Sequence, residues 1–297
     1  MGACTTLAMP LPRPSTFSIV AVDRTTGEVG CGVQSKFLSV GAAVPWVRAG
    51  VGAIATQAFC NTTFGPRGLA LLAAGTPPAD ALAALVAADE GREDRQVGIV
   101  ALDGKSASFT GSRCIAYAGG ISGDGFAAQG NCLAQTAVVE ALAQTFLSTS
   151  GSLADRIVAA LRAAQAQGGD KRGQQSAALI IEKTGGGYAG FNDRYVDLRV
   201  DDHPAPIEEL ARLLDMHKLY FFPAEAHDVL PIDATRGREI VRELVRIGAH
   251  VGNDGGYDEQ AHASLVAFMH VENLENRVRT DGAIDRQTLA YLQGYRR

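Results

Sequence analysis

The stretch TFSIVAVDRTTGEVGCGVQ, from Thr16 to Gln34, decides the fold. Two runs rich in valine and other apolar residues, Thr16–Val22 and Glu28–Gln34, lie on either side of the tetrapeptide Arg-Thr-Thr-Gly. Two such runs joined by a short glycine-containing connection predict a β-hairpin. Residues 1–15 contain three prolines and no strand pattern, so we expect a disordered leader that ends where the first strand begins.

Outside this hairpin, strand-like runs alternate with pairs of helical segments. Further strand-like runs cover residues 40–47, 50–57, 96–102, 106–110, 114–118, 125–129, 176–182 and 195–200. The helical pairs cover residues 66–74 and 78–89, and then 133–147 and 153–167. This order disfavours a doubly wound parallel sheet, in which single strands and single helices alternate. It favours two antiparallel sheets stacked face to face with a helix pair on each outer side, because the strands are nearly continuous in apolar residues.

Glycine and proline set two of the predicted boundaries. The stretch GGISGDG, Gly119–Gly125, lies between two predicted strands, and its glycines predict a turn. For the helix at 78–89, Thr76 is the predicted N-cap and Pro77 the predicted first helical residue.

Length and charge exclude several classes of function. The chain has 297 residues and a formal net charge of -5, whereas nucleic-acid binding normally requires a basic face. No apolar run is long enough to span a bilayer, and the leader lacks the basic and apolar regions of a secretory signal. We therefore expect a cytoplasmic protein whose partners include neither nucleic acid nor a membrane.

After residue 200 the composition changes, which predicts a second domain. A helix is predicted at 207–218, followed by a connector that contains prolines and acidic residues, 219–232. From 233 to 297 the pattern is helical and rich in charge. We therefore predict a larger domain at 16–218, a linker and a small all-α domain.

The larger domain has almost no histidine with which to build a catalytic site. The first of the six histidines is His203, and none lies at ligand spacing from another histidine or a cysteine. A Ser-His-Asp arrangement and a histidine-ligated metal are therefore disfavoured. The five cysteines are widely spaced, which argues against a disulfide framework or a structural zinc site. We predict neither a metal nor a cofactor.

A nucleophile without histidine needs another base. One solution is a threonine at the very N-terminus, because a free α-amine has a pKa of about 7.7–8.0 and can take the hydroxyl proton near neutral pH. An internal amide nitrogen cannot do so. Thr16 meets this requirement only if the Ser15–Thr16 bond is cut, or if translation begins later than the sequence states.

Four segments resemble a known family. The run TFSIVAVDRTTGEVGCGVQSKFLSVGAAVPWVRAGVGAIATQ (Thr16–Gln57) is similar to the start of the uncharacterised family called domain of unknown function ten-twenty-eight. The segments that follow in the same order are QGNCLAQTAVVEAL (Gln129–Leu142), GDKRGQQSAALIIE (Gly169–Glu182) and VDDHPAPIEELARLL (Val200–Leu214). That family is assigned an N-terminal-nucleophile (Ntn) hydrolase-like fold. The resemblance therefore implies an α+β protein with a four-layer αββα sandwich, in agreement with the order of the predicted elements.

The resemblance also implies residue roles, through a looser analogy with proteasome-like Ntn hydrolases. Thr16 matches the nucleophile at the start of the first strand, and Asp170 and Ser176 match positions beside the threonine amine. Those enzymes carry a lysine on the third strand, and the predicted third strand here has none. Lys36 and Arg48 flank that strand and are the candidates to replace it, and Lys36 is included among the predicted catalytic residues.

Five polar residues are predicted to bind substrate around this nucleophile: Ser35, Gln57, Gln129, Asn131 and Gln174. The candidates also have structural interpretations. A threonine such as Thr16 is favoured in any strand, and Asp170 after two glycines could simply cap a turn. Ser35 and Lys36 could form a solvated strand end, and Gln174 could hydrogen-bond a sheet edge.

The segment Arg238–Gln293 resembles the three-helix module of peptidoglycan-binding-like domains. The matching features are Asp254-Gly255-Gly256-Tyr257 before a helix, Phe268 late in that helix, and Asp281-Gly282 before the final helical run. Asp285 stands where the family pattern often has glycine. The resemblance implies glycan binding, with domain docking or dimerisation as the alternative.

Two functions from different classes follow. The first is an Ntn-type amidohydrolase or peptidase, in which Thr16 attacks a small amide or peptide substrate once the leader is lost. The second is a non-catalytic Ntn-fold scaffold that binds a ligand or a peptidoglycan fragment. In either case we expect a homo-oligomer.

Overall fold

The computed structural model describes residues 16–251 and 256–296. The leader predicted at 1–15 lies outside the described residues, as do Asp254 and Gly255 of the predicted C-terminal turn. The chain forms two compact units that divide between Leu213 and Leu214. No helix in the described ranges is both long enough and apolar enough to cross a membrane.

The strands of the first unit form two antiparallel sheets. In chain order they are β1 (Thr16–Asp23), β2 (Glu28–Ser35), β3 (Pro45–Arg48), β4 (Gly52–Ala58), β5 (Arg95–Ala101), β6 (Ser106–Thr110), β7 (Gly119–Gly123), β8 (Phe126–Gly130), β9 (Ser176–Glu182) and β10 (Arg194–Val200). The six-stranded sheet has the order β10-β9-β2-β1-β8-β7, and the four-stranded sheet has the order β3-β4-β5-β6. The predicted hairpin is therefore at the centre of the larger sheet.

Helices cover one face of each sheet. They are α1 (Phe64–Ala73), α2 (Pro78–Ala87), α3 (Ala137–Ser148) and α4 (Leu153–Ala166). The contact between α4 and β2 is so close that a Cβ on Gly32 would lie 2.2 Å from Ile157 Cγ2. Glycine in the strand therefore sets the distance between helix and sheet. The helices α1 and α2 pack on the four-stranded sheet through a core that includes Ile54, Phe64 and Leu85.

A second core, rich in valine, joins β1 and β2 of one sheet to β4 and β5 of the other. Val20, Val33, Ala55 and Val100 are fully buried in it. Burying a valine side chain stabilises a fold by about 1.5–3 kcal/mol. The central strands are thus covered on both faces, which explains their continuous apolar sequence. The predicted mixture of helices with antiparallel sheets is confirmed.

The glycine-rich stretch predicted as a turn is a strand. Gly119–Gly123 forms the edge strand β7, and the strand predicted at 114–118 is a loop. A Cβ on Gly120 would lie 2.2 Å from Ser108 Oγ of β6. Glycine at this position therefore permits close approach of two strands. From local sequence, such a glycine looks the same as a glycine in a turn.

Two further local predictions are wrong. In the strand predicted at 40–47, Val40–Ala42 is a turn of 3-10 helix that follows Ser39 with a left-handed φ of 53°. Helix α2 begins at Pro78, with Pro77 as its N-cap residue. The helix cannot start at Pro77, because a residue that precedes proline is driven into extended conformation, and Pro77 has ψ of 148°.

The second unit is mostly helical. Its helices are the end of α5 (Pro206–Phe221), α6 (Ala234–Arg246), α7 (Glu259–Val271) and α8 (Arg286–Gly294). Two short strands, β11 (Val229–Pro231) and β12 (Ala283–Asp285), pair antiparallel, so this part of the chain is not all-α as predicted. The strand β11 and the core residue Leu219 both lie in the segment predicted as a linker. The predicted boundaries at 218 and 232 stay predictions.

A buried ion pair fixes the start of α8. Asp285 is 1% exposed, accepts from the Thr288 N–H at 3.0 Å as the N-cap, and pairs with Arg277 Nη1 at 3.0 Å. Arg277 is 4% exposed and also donates to the backbone carbonyls of Lys218 and Leu219. The aspartate that stands where glycine was expected therefore has two structural tasks: it caps a helix and neutralises a buried arginine.

Candidate active site at the start of the first strand

The start of β1, the end of β2 and the start of β9 meet at one end of the six-stranded sheet. Thr16 pairs with Ser35, and Ser35 pairs in turn with Ser176. All three residues are fully buried. The antiparallel registers therefore make neighbours of three predicted site residues that lie far apart in the sequence.

Thr16 is held by hydrogen bonds at its hydroxyl and at its carbonyl. Its Oγ1 donates to Ser35 Oγ at 3.2 Å. Its carbonyl oxygen accepts from the Asn131 backbone N–H at 2.9 Å and from Gln57 Nε2 at 3.3 Å. Of the five predicted substrate ligands, these three contact the candidate nucleophile directly.

A chain of buried amides lies next to Thr16, between the two sheets. Gln129 Nε2 donates to Ser18 Oγ at 2.6 Å, and Ser18 Oγ donates to Gln57 Oε1 at 2.6 Å. Gln57 Nε2 continues the chain to Gln96 Oε1 at 2.8 Å, and Asn131 Nδ2 donates to the same oxygen at 2.9 Å. The nitrogens of Gln129, Gln57 and Asn131 donate and the oxygens of Gln57 and Gln96 accept, which gives these amides a direction. Gln129 Oε1 has no hydrogen-bond partner among the described residues.

Gln96 closes this network, and it is absent from the residues predicted from sequence. It is fully buried, and its Nε2 donates to the Gly130 carbonyl at 2.8 Å and to Thr110 Oγ1 at 2.9 Å. The available signal was a glutamine near the start of an otherwise apolar strand, since a buried amide needs partners. Gly98 of the same strand makes room for the network, because a Cβ there would lie 2.0 Å from Gln129 Oε1.

The carboxylate of Asp170 binds Lys36, which follows Ser35, the hydroxyl partner of Thr16. Asp170 is 2% exposed, and it accepts from the Lys36 backbone N–H at 3.1 Å and from Arg172 Nη2 at 2.7 Å. The hydrogen bonds to Asp170 raise the pKa of the Arg172 guanidinium. In residues 16–251 and 256–296, no hydrogen bond joins Asp170 to Thr16. The carboxylate therefore orders the loop beside Ser35 and does not contact the threonine.

Ser176 and Lys36 also bond the loops around Ser35 and not Thr16. Ser176 Oγ donates to the Phe37 carbonyl and accepts from the Val40 N–H at 3.0 Å. Lys36 Nζ donates to the Gln174 carbonyl at 3.3 Å. Within the described part of the chain, the predicted catalytic residues other than Thr16 thus contact the loops next to Ser35 and do not contact Thr16 itself.

A small recess adjoins Asn131. Its lining residues are Ala58, Phe59, Asp94, Arg113, Cys114, Ile115 and Asn131. Arg113 Nη2 and Asp94 Oδ2 form an ion pair at 2.7 Å in this lining. Its volume of about 10 Å³ is roughly that of one water molecule. The recess reaches Asn131, whose backbone N–H binds the Thr16 carbonyl.

The second unit carries a groove of its own, with a volume of about 200 Å³. Its lining residues are Ile247, Ala249, Ser264, Ala267, Phe268, Val271, Glu272 and Tyr295. The hydroxyls of Tyr291 and Tyr295 each donate to the Glu272 carboxylate at 2.8 Å. Burial is the main cause that raises the pKa of Tyr291. The groove thus combines an apolar wall with a carboxylate held in a fixed orientation.

Two family models match the chain. The model described as "Family of unknown function (DUF1028)" matches residues 16–210. The model described as "Putative peptidoglycan binding domain" matches residues 220–292. Both resemblances predicted from the sequence are confirmed.

A solved structure is similar to the first unit. The crystal structure of a DUF1028 protein from Silicibacter pomeroyi has a TM-score of 0.63 and 31% sequence identity, and the match covers 70% of this chain and 91% of that chain. No curated protein matches this chain. The fold is thus shared with a solved relative, while the family's description names no activity.

Proposed function

The chain belongs to the DUF1028 family, whose function is unknown, and from that premise we propose that it is an Ntn-type amidohydrolase with Thr16 as its nucleophile. Its substrate is a small amide or peptide. The observation that carries the proposal is the bonding of Thr16, whose hydroxyl meets Ser35 and whose carbonyl is held by two N–H donors.

The layers of the first unit support the assignment. α3 and α4 pack on the six-stranded sheet, α1 and α2 pack on the four-stranded sheet, and the valine-rich core joins the two sheets. We assign this arrangement to the four-layer αββα sandwich that the family resemblance implies. Thr16 begins a central strand of that sandwich.

The chemistry requires a free α-amine on Thr16. Cleavage of the Ser15–Thr16 bond would supply an amine with a pKa of about 8. That amine takes the proton of Oγ1 while Oγ1 bonds to the substrate carbonyl carbon, and the carbonyl electron pair moves to oxygen. Backbone N–H groups stabilise this oxyanion. When it collapses, the C–N bond breaks, and the leaving amine takes the proton from the α-ammonium.

The second half of the reaction releases the acyl group. Water attacks the ester on Thr16, with the α-amine again as the base, and Oγ1 regains its proton as it leaves. Ser35 Oγ orients the Thr16 hydroxyl, while Asn131 and Gln57 hold the carbonyl in place. Asp170, Ser176 and Lys36 act indirectly, because they order the loops around Ser35.

A second candidate function rests on the second unit, where the match to a peptidoglycan-binding family favours binding of a peptidoglycan fragment. The apolar wall of its groove suits a sugar face, and the ordered Glu272 carboxylate suits hydroxyl or amide donors. This function also suits a non-catalytic scaffold. The expected homo-oligomer and the cytoplasmic location stay predictions.

Intact-mass analysis and a series of Thr16 variants test the hydrolase. The protein purified from cells should lack residues 1–15, and a chain produced to begin at Thr16 should hydrolyse members of an amide library without processing. Thr16→Ala should abolish the activity, because no hydroxyl is left to form the ester. Thr16→Ser should keep part of the activity. Thr26→Ala, a matched change in the exposed hairpin turn, should keep all of it.

Two outcomes would reject this mechanism. One is a chain that keeps its leader and hydrolyses amides equally well with alanine at position 16. The other is a processed chain that binds peptidoglycan fragments but turns over no amide in the library, which would favour the scaffold.

A further inference from the structure

Two loops meet at the start of β1, together with the segment before β7. The residues 36–40 follow Ser35, the hydroxyl partner of Thr16. The residues 170–175 are bonded to them through the Asp170 carboxylate. The segment 115–117 is bonded to Cys132, whose N–H donates to the Ile115 carbonyl. These three segments therefore form the surroundings that a substrate at Thr16 would meet.

The charges on these segments are mostly positive. They carry Lys36, Lys171 and Arg172, but only one carboxylate, Asp170. Asp170 is neutralised by Arg172, whose Nη2 lies 2.7 Å from its Oδ2. On these segments, Lys36 and Lys171 therefore have no carboxylate left to pair with.

Both lysines are held by uncharged partners. Lys36 Nζ donates to the Gln174 carbonyl at 3.3 Å, and Lys171 Nζ donates to the Ala116 carbonyl at 2.8 Å. Asp202 also contacts this region, through Gln175 Nε2 at 3.1 Å, but neither ammonium pairs with it. Among the described residues, no carboxylate lies within ion-pair distance of either lysine. Both lysines are exposed, so their ammonium groups can bind a ligand from solution.

The other lysines of the first unit differ. Lys105 Nζ pairs with Asp103 at 2.8 Å, and Lys183 Nζ pairs with Glu28 at 3.6 Å. The whole chain has a formal net charge of -5. Lys36 and Lys171 therefore present two ammonium groups without a carboxylate partner among the described residues, and such groups attract anions.

We propose that the substrate of the Thr16 site is an anionic amide, with a carboxylate that binds Lys36 and Lys171. This inference rests on the proposed function, since Thr16 marks the reacting bond. The lysines would contact the carboxylate directly, because each ammonium has further protons to donate besides the one given to its carbonyl partner. Neutral amides of the same shape would bind weakly.

A matched pair of small ligands tests the charge requirement without any turnover. N-acetyl-L-glutamate carries two carboxylates, and N-acetyl-L-glutaminamide is its neutral counterpart. Calorimetry or NMR titration of the full chain should show at least about tenfold tighter binding of the dianion. Raising the salt concentration should shrink the difference, since salt screens exposed charges.

Variants then locate the binding. Lys36→Gln combined with Lys171→Gln should abolish the preference for the dianion. Lys105→Gln, a matched loss of one exposed lysine in the β5–β6 turn, should keep it. Equal affinity for the two ligands, or an equal loss in the Lys105→Gln variant, would overturn the proposal.

The two proposals fail separately. If the dianion binds through the two lysines but no amide is hydrolysed, the anion site stands and the hydrolase is rejected. If Thr16-dependent hydrolysis is found but anionic and neutral amides react with equal kcat/KM, the hydrolase stands and the anion site is rejected.

Discussion

The two units bury polar groups in different ways. In the first unit, the network around Gln96 consists of neutral amides and hydroxyls, each with a defined direction. In the second unit, Arg277 and Asp285 form an ion pair at 4% and 1% exposure. Ions cost more to remove from water than amides, but a single partner compensates much of that cost. In the first unit, the start of β1 is thus held by many neutral hydrogen bonds. In the second unit, the start of α8 is held by one buried ion pair.

Removing one ion of the buried pair should have the largest effect on stability. In Asp285→Ala, Arg277 would stay buried without a carboxylate, and α8 would lose its N-cap. We expect the free energy of unfolding of the second unit to fall by about 3–5 kcal/mol. Urea unfolding of the full chain measures this change. Asp281→Ala breaks the exposed pair with Arg279 and should change stability little, so similar shifts in both variants would contradict the interpretation.

Removing the central amide of the first unit should have a smaller effect on stability and a large one on function. Gln96→Leu leaves Asn131 Nδ2 and the Gly130 carbonyl without this partner, which should cost about 2–3 kcal/mol. Any Thr16-dependent activity should fall with it. Gln167→Leu, at an exposed glutamine after α4, is the control for the change of residue type. A Gln96→Leu protein with unchanged activity would show that the network does not orient Thr16.

Acid should weaken the first unit through a carboxylate outside the amide network. Asp89 pairs with Arg95 at 2.8 Å, and that hydrogen bond lowers the pKa of Asp89 to about 2 from its ordinary 3.8. A carboxyl group whose pKa is lower in the folded state stabilises the fold at any pH above its unfolded-state pKa. This stability is lost as the pH falls through the folded-state pKa. Asp89→Asn should therefore be less stable than the native protein at pH 5, and the difference should shrink towards pH 2. A constant difference across that range, measured by urea unfolding, would refute the assignment.

The smallest effect is expected at a buried amide that has no partner in the described residues. Gln34 on β2 is fully buried, and neither its Oε1 nor its Nε2 is hydrogen-bonded. Gln34→Leu should therefore be neutral or stabilise the protein by about 1 kcal/mol. Gln129→Leu, which removes the bond to Ser18, should destabilise it. A loss of stability in Gln34→Leu would indicate that a buried water satisfies this amide.

The sheets, the helix pairs and both families could be predicted from sequence, because apolar periodicity and family segments are local signals. The partners of Thr16 could not. Gln96 meets Gln57 and Asn131 only because two sheets stack, and the direction of each amide is a tertiary property. The same holds for Ser176, because the Val40 N–H that it accepts from belongs to a 3-10 turn that the sequence pattern predicted as a strand. It also holds for Asp170, whose bond to the Lys36 N–H joins two loops far apart in the sequence.

The hairpin turn at 24–27 sets the register of β1 and β2, and with it the pairing of Thr16 with Ser35. Strand β1 has eight residues, and at about 3.4 Å each the turn lies about 27 Å from Thr16. Successive side chains point to opposite faces of the sheet. One residue inserted between the turn and Thr16 would move the threonine from the face with Ser18 and Val20 to the face covered by α4. The spacing to a turn that never touches the site therefore determines whether the hydroxyl is presented to Ser35 at all.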